Sequence, residues 1–437
     1  MKSTLRNLFL VSVFFFCIFN LKFSFLPFYT QRLVVVFGFL HIFISLTLSS
    51  KRYPLISMFN IIPIVWFTLF FVYCSVCYVV QESSDNSMIV ASSLMLLQVG
   101  LSVIYLTFLC RRFQISNDLL LEILSSVFFI QACAVIAFFL SGTFRGMVSN
   151  VLPLASGAEE WTFRSRGLTH GGGALLGLIQ GIGALCAFHV FYFSKKFIKR
   201  LKYSLVFVII SISIVLSGRT GLLIFPLIML AFIAAAFFYK NYRNEIFKNF
   251  IGLFSYSCLY ISFFLLFYQA FFAWENKYGT DGLLNTLQWA FGEFVDFNAD
   301  RNSDKEKLYT LKVLFGSHVY FPNSFYGWLF GESSSWISMN PYGDMGYIRI
   351  LYTNGLLGSF LLYGGYFTLF ALGFYNAEKR FKLIFAVLFL YLFIAEIKEP
   401  FFLKFSVPTI CLILLSNGLN MKKSFPRFEK IKSITGN

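Results

Sequence analysis

Apolar stretches close to twenty residues long recur along this chain, and that recurrence constrains its fold more than any other feature. A helix rising 1.5 Å per residue needs about 20 residues to cross roughly 30 Å of hydrocarbon. Twelve stretches approach that length: 5–21, 33–50, 60–80, 88–110, 119–141, 171–193, 203–217, 221–239, 250–272, 347–374, 383–398 and 401–419. In lipid a backbone amide or carbonyl finds no water, so a segment of this kind must satisfy its own hydrogen bonds as a helix. The expectation is an all-α, polytopic integral membrane protein of about 12 transmembrane helices, with residues 1–437 as a single membrane domain.

Composition agrees. Hydrophobic residues make up 58% of the chain and charged ones 13%, against roughly 45–50% apolar for a soluble domain. The net charge of +16 would suit nucleic acid if it formed one patch, but the basic residues sit in short clusters between apolar segments. Membrane topology accounts for them, and nucleic acid is not expected as a partner.

With the N-terminus inside, 22 of the 36 Lys and Arg fall at cytoplasmic ends, among them Arg111 and Arg112, the cluster from Lys195 to Lys202, and Lys379 to Lys382. Both termini are then cytoplasmic. Lys22 and Arg32 fall on the outer side and run against the rule. Lys2 and Arg6 precede an apolar run with no small-residue cleavage site after it, so this run reads as an uncleaved first span. The eight cysteines lie in or at the ends of apolar segments, which implies no disulfide framework. Cys74 and Cys77 form a CxxC whose spacing stacks two small side chains on one helix face.

Two polar intervals interrupt the spans on the outer side, which in a bacterial plan is the periplasm. The larger, 273–346, carries five basic residues against nine acidic ones, opposite in sign to the whole chain. A loop this long is usually functional rather than a connector. Short helices are expected in it near Leu283 to Val295 and Lys305 to Phe315. The smaller, 142–170, carries Arg145, Arg164 and Arg166 with Glu159 and Glu160.

Three motifs could carry chemistry. RSRGLTHGGGALLGLIQG, Arg164 to Gly181, puts two arginines just before a helix start and glycines at four-residue spacing inside it. The glycines suit close helix packing. Guanidinium groups beside a helix N-terminus suit a phosphate, with snorkelling to headgroups as the competing reading. SGRTG, Ser217 to Gly221, turns tightly between two spans and holds Arg219 near membrane depth. An arginine there costs ~2.5–3.5 kcal/mol on insertion scales and calls for an anionic partner, whereas in an ordinary hairpin it would meet only headgroups. The third, from Leu329 through Gly365, includes Asp344 at the end of the polar loop and Arg349 just inside the next span, with Glu332 nearby. Asp344 reads equally as a helix cap and as a catalytic carboxylate.

Of the four histidines, His41 and His189 lie within spans and read as packed, hydrogen-bonded residues. His170 and His318 face outward, and His318 could act as a base near neutral pH. Glu396, Lys398, Glu399 and Lys404 straddle the last hairpin and read as structural partners of one another. No metal-ligand spacing and no nucleotide-binding glycine loop occurs, so no cofactor is implied.

In the order of these features the chain resembles Wzy-type O-antigen polymerases, within the superfamily that includes O-antigen ligases. The resemblance rests on a dozen spans, the glycine-rich segment after RSRG, SGRTG in the seventh-to-eighth turn, and a large penultimate outer loop ending in GDMGYIRILYTNGLLG. The spacing from Arg166 to Gly177 also resembles one seen in such polymerases. One departure is that ligases tend to follow their loop histidine with Asn, Ser or Gln, where His318 is followed by Val319.

The resemblance implies a bacterial inner-membrane enzyme, multi-pass and independent of metal. Its substrate would be an undecaprenyl-diphosphate-linked oligosaccharide, and its partners membrane lipid and a protein that regulates chain length. The growing chain would leave its lipid diphosphate and join a sugar hydroxyl of the next unit. Fixed cations would then stabilise the departing diphosphate: Arg219, Arg164 and Arg166, with Arg349 and Arg145 behind them. Asp344 is the preferred base and His318 the alternate, while Trp328 and Trp336 could stack on sugars or anchor at the interface. A lipid-linked oligosaccharide flippase is the rival from another class; it would place charges along a central cavity and have short outer loops. An O-antigen ligase is the rival within the superfamily.

Overall fold

The computed structural model describes residues 2–48, 58–83, 85–153, 165–170, 173–238, 252, 319–332 and 345–424. Every long element among them is a helix: α1 Lys2–Phe19, α2 Thr30–Leu48, α3 Met58–Val80, α4 Ser87–Leu94, α5 Gly100–Arg112, α6 Asn117–Leu140, α7 Gly142–Val151, α8 Ala174–Phe193, α9 Phe197–Ser217, α10 Ile224–Phe238, α11 Phe325–Phe330, α12 Gly346–Asn376, α13 Lys379–Ala395 and α14 Ser406–Ser424. A π turn, Met95–Val99, joins α4 to α5, so Ser87–Arg112 runs as one span. Among the described residues seven helices are long and apolar enough to cross a membrane, and shorter apolar helices cover Thr4–Phe19, Arg219–Ala231 and Ser406–Ser416. The chain is thus an all-α, multi-pass membrane protein. The expected span 250–272 and the loop helices near 283–295 and 305–315 lie outside the described residues.

The chain divides into two compact units. The first holds Met1–Phe15, Leu21–Tyr29 and Leu121–Tyr309. Its centre is α8, buried at Leu178, Ile182 and Ala184. The glycines explain how close its partner comes. A Cβ on Gly177 would lie 2.4 Å from the Gly218 carbonyl oxygen, and one on Gly221 would lie 2.3 Å from the Gly177 oxygen. Backbone therefore touches backbone between α8 and the turn after α9, which is the packing that the glycine spacing leads one to expect.

The second unit holds Phe16–Asn20, Thr30–Leu120 and Thr310–Asn437. Here α12 is bent: Gly355 adopts φ 64°, ψ −171°, a region essentially reserved for glycine. The residues at the bend are gripped from two sides. From α3, the Tyr73 hydroxyl donates to the Asn354 carbonyl at 2.6 Å, and the Trp66 indole donates to Leu361. From the loop side, the Glu332 amide donates to the Tyr352 carbonyl at 2.8 Å. Gly331, at φ 82°, lets the chain leave α11 against Thr353.

Cys74 and Cys77 are buried free thiols on α3, and Cys74 Sγ lies 3.6 Å from Asn354 Oδ1, in keeping with a packing role. His41 pairs with the Tyr105 hydroxyl at 3.1 Å and sits edge-on to Phe108; His189 is buried beside Phe193. The Glu396 carboxylate accepts from the Tyr363 hydroxyl at 2.9 Å and the Phe402 amide at 3.1 Å, and the Lys404 charge acts on it as well.

Candidate functional site

The site is built in the first unit where α6 ends and α7 and the segment 165–170 fold back over it. Ser141 leaves α6 in an extended conformation and caps α7, its Oγ accepting from the Phe144 amide at 3.2 Å. The returning segment is fastened to α6 by Gln131, whose Nε2 donates to the Arg166 carbonyl at 3.0 Å while its Oε1 accepts from the Leu168 amide at 3.4 Å. Ser165 adds a second fastening. Its hydroxyl donates to the Val135 carbonyl at 2.6 Å, and its amide donates to the Leu216 carbonyl at 2.9 Å. That last bond ties the segment to the end of α9, three residues before Arg219.

Arg166 is only 2% exposed. Its Nη1 donates to the Leu152 carbonyl at 2.7 Å and the Thr169 carbonyl at 3.1 Å, and its Nη2 donates to Ser149 Oγ at 2.9 Å. A guanidinium supplies five donors in a rigid fork, and such charge-assisted bonds are worth ~1.5–3 kcal/mol each. Arg166 therefore acts as a clasp between α7 and the 165–170 turn.

Its guanidinium centre also lies 5.4 Å from the Phe138 ring centroid, and that of Arg145 lies 5.4 Å from the same ring. One phenyl ring thus gathers two arginines. Arg145 is half-buried, with Nε 3.4 Å from the Phe138 carbonyl. Lys22 stands 5.7 Å from the Tyr29 ring centroid, and Tyr29 meets His170 edge-on at 6.0 Å.

The His170 Nδ1 donates to the Pro153 carbonyl, which leaves Nε2 as the nitrogen with a lone pair. Burial pushes the imidazole below its ordinary 6.5, the bond to Pro153 acts the other way, and Lys22 and Arg166 push it down further. Neither Lys22 nor Arg145 pairs with a carboxylate among the described residues, whereas Lys199 pairs with Glu122 and Arg380 with Asp118 and Glu378.

Arg219 opens a 3₁₀ turn, Arg219–Leu223, that runs directly into α10. Gly218 and Gly221 on either side are locked against Gly173 and Gly177, so the half-buried Arg219 springs from a rigid base. The first unit therefore holds three of the arginines expected to matter: Arg145 and Arg166 meet at Phe138, and Arg219 lies three residues beyond the Leu216 carbonyl to which Ser165 is bonded. Lys22 and His170 stand beside Arg166, although neither is a site residue in the sequence reading. Their signal was faint: Lys22 stood out only as a topology exception, and His170 only as an outward histidine.

Arg349 lies in the first turn of α12 in the second unit, half-buried, its amide donating to the Met345 carbonyl at 2.9 Å. Glu332 follows α11, its carboxylate folded over Gly327. Trp328 stacks on Phe321 with centroids 5.2 Å apart. Arg164, His318, Trp336 and Asp344 lie outside the described residues. Comparison of the chain with protein-family models, with curated proteins and with solved structures returns no match.

Proposed function

We propose that the chain is a membrane-embedded glycosyltransferase of the O-antigen polymerase kind. It transfers a growing polysaccharide from its polyprenyl diphosphate to the next lipid-linked oligosaccharide unit at the periplasmic face of the bacterial inner membrane. The observation that carries this reading is the cationic group around Phe138 and the Arg219 turn. Arg145 and Arg166 share one ring, Lys22 stands beside them across the neutral His170, and Arg219 projects from a backbone-locked turn fastened to the same segment. Like charges are costly to gather unless an anion offsets them, and a diphosphate is the anion that departs in this reaction.

Within that reading the arginines divide the work. Arg166, spent on carbonyls, holds the frame. Arg145 and Arg219, both half-buried, reach the diphosphate and stabilise the charge that develops as the glycosidic bond breaks. Arg164 is a flanking cation for the same anion. The acidic interval 273–346 suits sugar hydroxyls, with Asp344 as the base that deprotonates the acceptor and His318 as the alternate.

The experiment is complementation of a deletion strain with Arg219→Ala and Arg219→Lys at matched membrane levels. Loss of polymer with alanine and partial return with lysine is the expected result. Near-normal polymer from a well-expressed Arg219→Ala would remove Arg219 from the reaction.

A further inference from the structure

The stretch 319–331, VYFPNSFYGWLFG, carries no Lys, Arg, Asp, Glu or His, although it lies in an interval otherwise dense in charge. It folds into α11, started by Ser324, whose Oγ accepts from the Gly327 amide at 2.8 Å. The fold turns its aromatic rings outward. Phe325 is 80% exposed, and Tyr320, Phe321 and Tyr326 are all large exposed side chains. Exposed rings this close together would be costly in water.

What covers them follows from the depth at which α11 is fastened. On α12 the exposed apolar side chains begin at Leu356 and continue through Phe360 and Phe367 to Tyr375. At 1.5 Å per residue that stripe is about 29 Å long, the thickness of a hydrocarbon core. Its end at Leu356 adjoins the bend at Gly355, where the Leu329 carbonyl packs against Gly355. On α3 the exposed stripe runs through Val72 and Val76 to Val79 and Val80 and stops at Gln81. The Tyr73 hydroxyl is 3.3 Å from the Phe330 carbonyl, and Gln81 Nε2 donates to the Gly331 carbonyl at 2.9 Å. On α12 the fastening lies at the end of the lipid-facing stripe, and on α3 it runs from Tyr73, inside the stripe, to Gln81 at its end.

We infer that residues 319–331 are an interfacial membrane anchor, with Phe325, Tyr326 and Phe321 inserted among the phospholipid headgroups and upper acyl chains at the α12 N-terminal end. Tyr and Trp suit that zone because an apolar ring body can sit in lipid while the polar edge stays hydrated. The acidic remainder of the interval would be repelled by anionic headgroups, so this uncharged aromatic stretch is the part that can hold the loop to the surface. The inference is independent of the reaction catalysed.

The test is site-specific photo-crosslinking of the full chain in vesicles of phosphatidylethanolamine with a minority of phosphatidylglycerol. p-Benzoylphenylalanine replaces Phe325 in one variant and Phe360, on the lipid-facing stripe of α12, in another. Mass spectrometry should find phospholipid adducts on both peptides in comparable yield. Lipid adducts at position 360 together with only peptide or saccharide adducts at 325, or none there, would overturn the anchor. As a second measurement, emission that is lost in Trp328→Phe should be quenched more by lipids brominated near the headgroup than by lipids brominated at the chain end. Equal quenching, or none, would contradict the proposed depth.

Discussion

Replacing Gly177 by alanine adds one methyl group to α8, and the structure gives the sign of its effect. The new Cβ would lie 2.4 Å from the Gly218 oxygen and 2.9 Å from the Gly218 carbonyl carbon, about 1 Å inside ordinary contact. Both obstacles are backbone, so no side chain can swing aside. Alanine gains ~1 kcal/mol in helix propensity over glycine, but forcing atoms into a filled site costs ~1–3 kcal/mol, and rigid surroundings favour the upper end.

The net expectation is a loss of ~1–2 kcal/mol. Because the Gly177 oxygen also faces Gly221, the displacement reaches the Arg219 turn and should lower polymer output beyond the loss of protein. Gly146→Ala is the matched comparison, since nothing lies within 4 Å of its added Cβ in α7. The assay is thermal denaturation of the purified protein in detergent, read as the surviving monodisperse fraction. Gly177→Ala should melt below wild type and Gly146→Ala at or above it. Equal melting of the two variants would refute the close approach of α8 to the Gly218–Gly221 turn.

Three further outcomes follow from single residues. Arg166→Lys should be destabilised by ~1–3 kcal/mol for each buried carbonyl left without a donor, since an ammonium cannot reproduce the fork; thermal melting measures it, and an unchanged melting point would deny the clasp. The native His170 resists protonation. As the pH falls through 6.5 the unfolded chain takes up the proton first, so the folded state loses stability until its own depressed value is passed, and above 6.5 the effect vanishes. Melting points between pH 5 and 8 should therefore fall less in His170→Gln than in wild type. Tyr73→Phe removes the hydroxyl that serves both Asn354 and Phe330, and hydrogen exchange should rise at 325–332 and 352–358 while α8 stays protected.

How far the sequence led depended on how local each feature is. Spans were legible because hydropathy over twenty residues is a local property; Asn117–Leu140, expected at 119–141, is one case. SGRTG was legible as a tight turn because glycines flank a charge between two apolar runs, and the glycine spacing after Arg166 gave the packing at Gly177. The bend in α12 was not legible. LYTNGLLGSF reads as continuous helix, and Gly355 breaks it only with Tyr73 and the end of α11 in place to take its backbone groups. Likewise α7 appeared as plain loop, because ten residues with two glycines carry too weak a pattern until Ser141 caps them. The clasp made by Arg166 needs Leu152 and Ser149, partners fourteen or more residues away that no spacing announces.

The central claim is polymerisation, and the most direct measurement is a lipopolysaccharide gel of cells lacking this gene, with and without complementation. Collapse of the ladder to core plus one repeat unit, restored by the intact gene, is the expected result: units still cross the membrane and still reach the core, and the missing step is their joining. Core with no repeat unit at all would contradict the account, since it would assign the chain to translocation or ligation.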